Sequence, residues 1–378
     1  MNITENKRVS NQDVKKINRL NIIRSILGCK RISQQDLAKK LDISWPTVLQ
    51  NVRELADLGL VQEAGTFSST GGRKARAFAP ISDAKLALGL DITRRHFGLV
   101  LSDLAGELLY YERHRQPFAL TDGYFQLVAE AMEDFLRTSG YSADRILGIG
   151  VSLPGIVDNE RQLLTYSHTL ELRDIPLEEI AGRLPYPCMF INDANAAGYA
   201  ELRGLGITGS AVYLSVSDTI GGAILNSGRL YHGDNLRAGE FGHAALVPDG
   251  RLCYCGKRGC VDAYCSTKLL ANYADTELKG FFDALQQGDS RLQEWWEEYL
   301  DYLSIVINNL RMSFDCDIIV GGYVGIFLCA YEKALREKLA ERNTFDTNTD
   351  YFRICHYKYE AAAFGASFLW LDSFLRSI

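Results

Sequence analysis

Ala238-Gly-Glu-Phe-Gly-His243, followed ten residues after the histidine by Cys253-Tyr-Cys-Gly-Lys-Arg-Gly-Cys260, is the stretch from which this chain is read. His243, Cys253, Cys255 and Cys260 offer one imidazole and three thiolates. That is a closed tetrahedral donor set for Zn²⁺, structural because no position stays open for water. Gly256 and Gly259 permit the tight loop such spacing requires. The alternative is a loop of reduced, uncoordinated thiols. Glu240, flanked by Gly239 and Gly242 and close to a metal ligand, reads as a site carboxylate rather than a surface charge. Cys265 reads as a core residue of the following helix. The scattered Cys29, Cys188, Cys316, Cys329 and Cys355 read as small buried hydrophobes.

Strand and helix patterns alternate on either side of this stretch. Leu88–Asp91 and Phe97–Leu101 form a hairpin turning at Thr93-Arg94-Arg95. Ile146–Val151 is a buried strand that ends at Pro154-Gly155, and Cys188–Ile191 is another, followed by Asn192-Asp193 and an Ala-rich helix. Val212–Val216 pairs with Gly221–Leu225. Ile318–Val320 runs into Gly321-Gly322, and Trp370–Leu375 closes the chain in an apolar helix. The body is therefore an α/β fold with two lobes.

The first sixty residues are different in kind. Val14, Ile17, Leu20, Ile23 and Leu27 recur at helical spacing. Ser33 caps a second helix carrying Leu37 and Leu41. Ser44 caps a third, with Pro46 in its first turn and Val48, Val52 and Leu55 on its core face. The short Leu41-Asp42-Ile43 connection sets the tight inter-helix angle of a DNA-binding helix-turn-helix. A wing then leads into the polar run Gly65–Arg76. The competing reading is a small helical protein-interaction module. If the head reads duplex DNA, Trp45, Thr47, Gln50 and Asn51 reach base edges, while Arg53, Arg73 and Lys74 meet phosphates or the minor groove. Trp45 has packing against the second helix as its alternative. The expected boundaries are 1–64 for the winged head, 65–84 for a basic Gly-rich linker and 85–378 for the body.

Charge supports the division. The 378 residues carry a net −6, but residues 1–80 hold 14 basic and 7 acidic side chains, leaving the head at +7 and the remainder at −13. Only the head suits a polyanion. No apolar run approaches a membrane span and the N-terminus lacks an apolar signal core, so a cytoplasmic protein without a membrane partner is expected.

Ala238–His243, the cysteine knuckle, Ile220-Gly-Gly222, Leu153-Pro-Gly-Ile-Val-Asp158 and Asn192-Asp-Ala-Asn-Ala-Ala197 together resemble the ROK family of repressors, open reading frames and sugar kinases. The resemblance covers essentially the whole chain. With its DNA-binding head the chain resembles the repressor branch, which includes xylose, N-acetylglucosamine and glucose-type regulators. The resemblance implies an actin-like ATPase body with a sugar cleft between the lobes. It also implies Pro154, Gly155, Asn192, Asp193, Glu240, His243 and Asp262 as sugar-binding positions, and assembly as a homodimer or tetramer. The family usually has Glu where this chain has Asp262, one methylene shorter.

A kinase of the family needs Gly-rich turns against the ATP phosphates. Its first loop reads Asp-x-Gly-Gly-Thr, where this chain has Asp91-Ile-Thr-Arg-Arg95; its second reads Gly-Thr-Gly-Ile-Gly, where this chain has Ser217-Asp-Thr-Ile-Gly221. The loops are degenerate at Thr93-Arg94 and Ser217-Asp218. Asp193, at the kinase general-base position, is then left as a sugar ligand. The expectation is a sugar-responsive, non-enzymatic regulator, most simply a repressor of carbohydrate uptake or catabolic genes. The alternative is a ROK-type hexose kinase with a regulatory head.

Overall fold

A computed structural model describes residues 11–67, 75–273 and 277–378. The head consists of α1 (Asn11–Leu27), β1 (Ile32–Ser33), α2 (Gln34–Leu41), α3 (Trp45–Asp57), β2 (Val61–Thr66) and β3 (Arg76–Pro80). Both expected caps form: Ser33 Oγ accepts the Asp36 N–H at 3.1 Å, and Ser44 Oγ accepts the Thr47 N–H at 3.4 Å. Asp42, at φ 52°, ends α2 in the left-handed region and turns the chain into α3. The three strands pair in the order β1-β3-β2. Because β3 closes this sheet and Phe78 packs into the head core, the head runs to Pro80 rather than stopping at 64.

Two residues of α1 depart from the sequence reading. Val14 and Ile17 are about half exposed, at 45% and 52%, whereas Ile22, Ile23 and Ile26 are fully buried. Packing on α1 begins only near Leu20, where the other helices and the body meet it. Arg73 and Lys74 lie outside the described residues.

The first lobe contains β4 (Leu86–Ile92), β5 (His96–Asp103), β6 (Leu108–Arg115), α4 (Asp122–Ser139), β7 (Ile146–Leu153), a small sheet of β8 (Ile156–Asp158), β9 (Leu163–Ser167) and β10 (Leu172–Pro176), then α5 (Leu177–Ala181), β11 (Cys188–Asn192) and α6 (Asp193–Gly204). Its main sheet has the order β6-β5-β4-β7-β11. The second lobe contains β12 (Ala211–Val216), β13 (Ile220–Asn226), β14 (Arg229–Tyr231), α7 (Asp262–Cys265), α8 (Thr267–Tyr273), α9 (Leu278–Gln286), α10 (Ser290–Phe314), β15 (Asp317–Gly321), α11 (Gly322–Leu328), α12 (Glu332–Arg342) and β16 (Phe352–Ile354). Its sheet runs β14-β13-β12-β15-β16, the same order as the first.

The last helix, α13 (Ala361–Ser377), returns to the first lobe and packs against α6, β4 and β7. Glycines let backbones touch there: a Cβ on Gly365 would stand 1.7 Å from the Ala196 carbonyl oxygen. One apolar cluster then runs from Phe364, Phe368, Leu371 and Leu375 of α13 into Ile22, Ile23 and Ile26 of the head. Asp372 joins three elements, lying 3.6 Å from both Arg24 of α1 and Arg203 of α6 and accepting the Tyr199 hydroxyl of α6. Among the described residues no helix is long and apolar enough to cross a membrane.

Candidate functional site

β11 delivers Asn192 and Asp193 to the start of α6, in the crevice between the lobes. Asn192 caps that helix by accepting the Asn195 N–H at 2.9 Å, while its own Nδ2 donates to the Gly155 carbonyl (2.9 Å) and to Asp193 Oδ1 (3.0 Å). Asp193 Oδ1 also accepts the Ala194 N–H at 2.9 Å. A short chain of hydrogen bonds therefore fixes the carboxylate before any ligand arrives. Two cavities meet at this point, and Pro154 and Asp193 line both.

The first cavity, of about 720 Å³, is walled by Pro154, Gly155, Asn192, Asp193, Glu240 and His243. Six of the seven expected sugar positions thus share one cleft, of a size that takes a small molecule. Asp262 does not share it. It is 5% exposed and sits behind Gly242, with Oδ2 accepting the Ile220 N–H at 2.7 Å. The shorter side chain holds its carboxylate against that amide, so Asp262 braces the cleft wall instead of lining it. Burial, followed by the charge of Asp91, pushes the Asp193 carboxyl up to about 7. Burial raises Glu240 as well, opposed by Arg237.

The second cavity, of about 610 Å³, is lined by Thr93, Arg94, Ser217 and Asp218, from the two stretches compared above with the kinase loops. Arg94 pairs with Glu171 at 2.7 Å, and Asp218 accepts the Thr267 hydroxyl at 2.8 Å. Arg113, on β6, lies 4.2 Å over the Tyr359 ring and 5.6 Å from the Tyr323 ring, reaching across from the first lobe. Asp91 accepts the Ser152 hydroxyl at 2.8 Å, and burial pushes its carboxyl up to about 6. Nothing local in the sequence marked Arg113, Tyr323 or Tyr359, because their meeting depends on how the lobes face each other.

The knuckle forms as its spacing suggests. His243, Cys253, Cys255 and Cys260 bring their ligand atoms within 4.8 Å of one another. His243 Nδ1 is buried with no hydrogen-bond partner, as a nitrogen reserved for a metal would be. Gly259, at φ 82°, could not carry a Cβ, which would stand 1.8 Å from the Val247 carbonyl oxygen. Cys265 is buried in the core, as expected, but Cys329 is exposed, contrary to its reading as a buried hydrophobe.

On the head, Trp45 is 49% exposed at the start of α3, so it does not pack away against α2. Gln50 and Arg53 are exposed on the same helix, and Thr47 is partly exposed with its hydroxyl 2.8 Å from that of Ser44. Asn51 corrects the expectation. It is 2% exposed, and its Nδ2 donates to the Thr47 carbonyl at 2.8 Å, so it faces the core beside Val48 and Leu55 and is unable to read a base.

Paired sheets of equal order around a shared crevice are the actin-like ATPase architecture of sugar kinases, and the winged head makes this a DNA-binding protein built on a kinase-type body. A ROK family profile matches residues 87–373 and a winged helix-turn-helix DNA-binding profile matches residues 16–62. The chain belongs to the ROK family. It is similar to the xylose repressor of Bacillus spizizenii, 27% identical over 319 residues that span 81% of this chain and 82% of that one. It is also similar to the N-acetylmannosamine kinase of Escherichia fergusonii, 31% identical over 233 residues, 58% of this chain and 78% of the kinase. Among solved structures, a ROK family transcriptional regulator homologous to the E. coli MLC protein superposes with a TM-score of 0.76 at 20% identity, covering 96% of this chain and 97% of its own. A ROK family glucokinase from Streptomyces griseus, in complex with glucose and AMPPNP, gives 0.65 at 25% identity over 75% and 98%.

Proposed function

We propose that this protein is a sugar-responsive transcriptional repressor that binds operator DNA through its head and a monosaccharide in the cleft beside Asp193. The observation that carries the reading is that one chain joins a solvent-facing α3 bearing Trp45, Gln50 and Arg53 to a carboxylate-lined cleft. Sugar hydroxyls donate to Asp193 and Glu240 and use Asn192 and His243, while Pro154 and Gly155 shape the wall. Zn²⁺ fits the knuckle through His243 Nδ1 and the sulfurs of Cys253, Cys255 and Cys260. When bound it stiffens the loop that carries the cleft wall. Trp45, Thr47 and Gln50 reach base edges, and Arg53, Arg73 and Lys74 serve phosphates or the minor groove.

Two heads on a homodimer suit a palindromic operator. Sugar closing the lobes acts on α6, and through α13 and Asp372 on α1. A coupling of about 1–3 kcal/mol changes operator affinity about 5–150-fold. The relatives named as xylose repressors put pentoses first among candidate effectors. A hexose kinase is the less favoured reading, since Thr93-Arg94 and Ser217-Asp218 stand in place of the Gly-rich phosphate loops.

The test is a thermal-shift screen of pentoses, hexoses and acetylated amino sugars, followed by operator binding with the best of them. Glu240→Ala is expected to keep operator affinity and lose release by sugar. Normal release by that variant removes the site assignment.

A further inference from the structure

We infer that Tyr254 and His168 form an aromatic gate across the sugar cleft, with the Tyr254 hydroxyl holding the His243 nitrogen that a sugar hydroxyl has to take. The inference rests on reading this cleft as the sugar site. His168 lies in the turn between β9 and β10 of the first lobe, and Tyr254 sits inside the cysteine knuckle on the other side of the crevice. Their rings stack with centroids 4.0 Å apart and planes 10° from parallel, and both residues line the cavity. The stack therefore bridges the cavity from the β9–β10 turn to the knuckle.

The same tyrosine turns back on His243. Its Oη is 3.3 Å from His243 Nε2, with the two rings edge to face at 5.3 Å. Because Nδ1 is the partnerless nitrogen that belongs to the knuckle, Nε2 is the one that serves the cavity. With its Nδ1 lone pair given to a metal, the imidazole would carry its proton on Nε2, and that N–H would donate to the tyrosine oxygen. A sugar oxygen needs that same N–H. The two acceptors compete, and binding exchanges one for the other. At 3.3 Å the resident bond is longer than the usual N–H···O distance, which keeps the exchange cheap. Tyr254 is 42% exposed, so its ring has solvent to move into.

Two properties of the gate are separable. The hydroxyl sets affinity through competition, and the stacked ring sets the rate of escape. Tyr254→Phe keeps the stack and removes the competitor; it is expected to bind sugar about two- to tenfold more tightly, the worth of one ordinary hydrogen bond. His168→Ala removes the stack without touching the knuckle; it is expected to release sugar about two- to tenfold faster, the worth of one aromatic pair.

The measurements are isothermal calorimetry and stopped-flow release on the full-length protein with the strongest sugar of the thermal-shift screen, D-xylose being tried first. Zinc content is determined for each variant, so that an altered knuckle is recognised. Either variant at wild-type values, with zinc retained, overturns the gate. Glu240→Ala separates the two levels: if it binds sugar normally the site reading fails, whereas if it is silent while the gate variants behave as wild type, only the gate is lost.

Discussion

Gly365→Ala adds a single methyl group at the crossing of α13 and α6. The new Cβ would stand 1.7 Å from the Ala196 carbonyl oxygen, 2.5 Å from its carbon and 3.1 Å from its Cα, all of them backbone atoms that no rotamer change can move. An ordinary C···O approach is about 3.3 Å, so the helices have to part by about 1.6 Å. They are not free to do so. α13 is also pressed against β4 at Gly89 and β7 at Gly150, where a Cβ would lie 1.8 and 1.9 Å from α13 carbonyl oxygens. Overpacking of this kind costs about 1–3 kcal/mol, which in a body this large lowers Tm by about 2–5 °C. Since α6 opens with Asn192 and Asp193, the displacement reaches the cleft, and sugar affinity is expected to fall with Tm. The head shares an apolar cluster with α13, so the displacement also reaches Ile22, Ile23 and Ile26 of α1. Calorimetric melts with and without sugar check both effects. A Tm within about 1 °C of wild type would refute the tight crossing and the rigid link it provides.

Raising the pH from 6 to 8 is expected to strengthen sugar binding, since Asp193, held up to about 7, gains an acceptor as it ionises. Calorimetry over that range checks it, and a flat profile removes Asp193 from the ligand set. Sugar-free stability has the opposite slope. Asp91 and Asp262, raised to about 6, and Asp193 and Glu201, raised to about 7, keep protons that the unfolded chain gives up near pH 4, so Tm is expected to fall as pH rises from about 4 to 7. Chelating zinc is expected to weaken sugar binding and lower the melting temperature of the body while operator binding by the head persists; metal analysis with a thermal melt checks it. Arg53→Ala is expected to weaken operator binding uniformly across sequences and reduce the salt slope by about one, as loss of a phosphate contact does. Asn51→Ala, by contrast, acts through the head's stability, visible in a melt rather than in base preference.

Local chemistry was legible in the sequence; long-range geometry was not. The Ser33 and Ser44 caps, the hairpin at Thr93–Arg95 and the cysteine knuckle each depend on residues close in the chain, and each forms where spacing put it. Asn51 was misjudged on residue type, although its position three after Val48 and four before Leu55 already placed it on the core face of α3. Asp262 was assigned by resemblance, and its carboxylate turns instead to the Ile220 amide. The equal strand order of the two lobes and the return of α13 to the first lobe left no local mark, because both are set by which strands and helices meet. The same holds for Arg113 over Tyr359 and for Tyr254 on His168, pairs that exist only once the lobes face each other.

The most direct test is operator binding by fluorescence anisotropy, titrated with each monosaccharide, with ADP formation followed in parallel in the presence of ATP. The account predicts that one sugar weakens operator affinity about 5–150-fold and that no ADP appears. Steady ADP production with any of the sugars, or an operator affinity that no sugar alters, would contradict it.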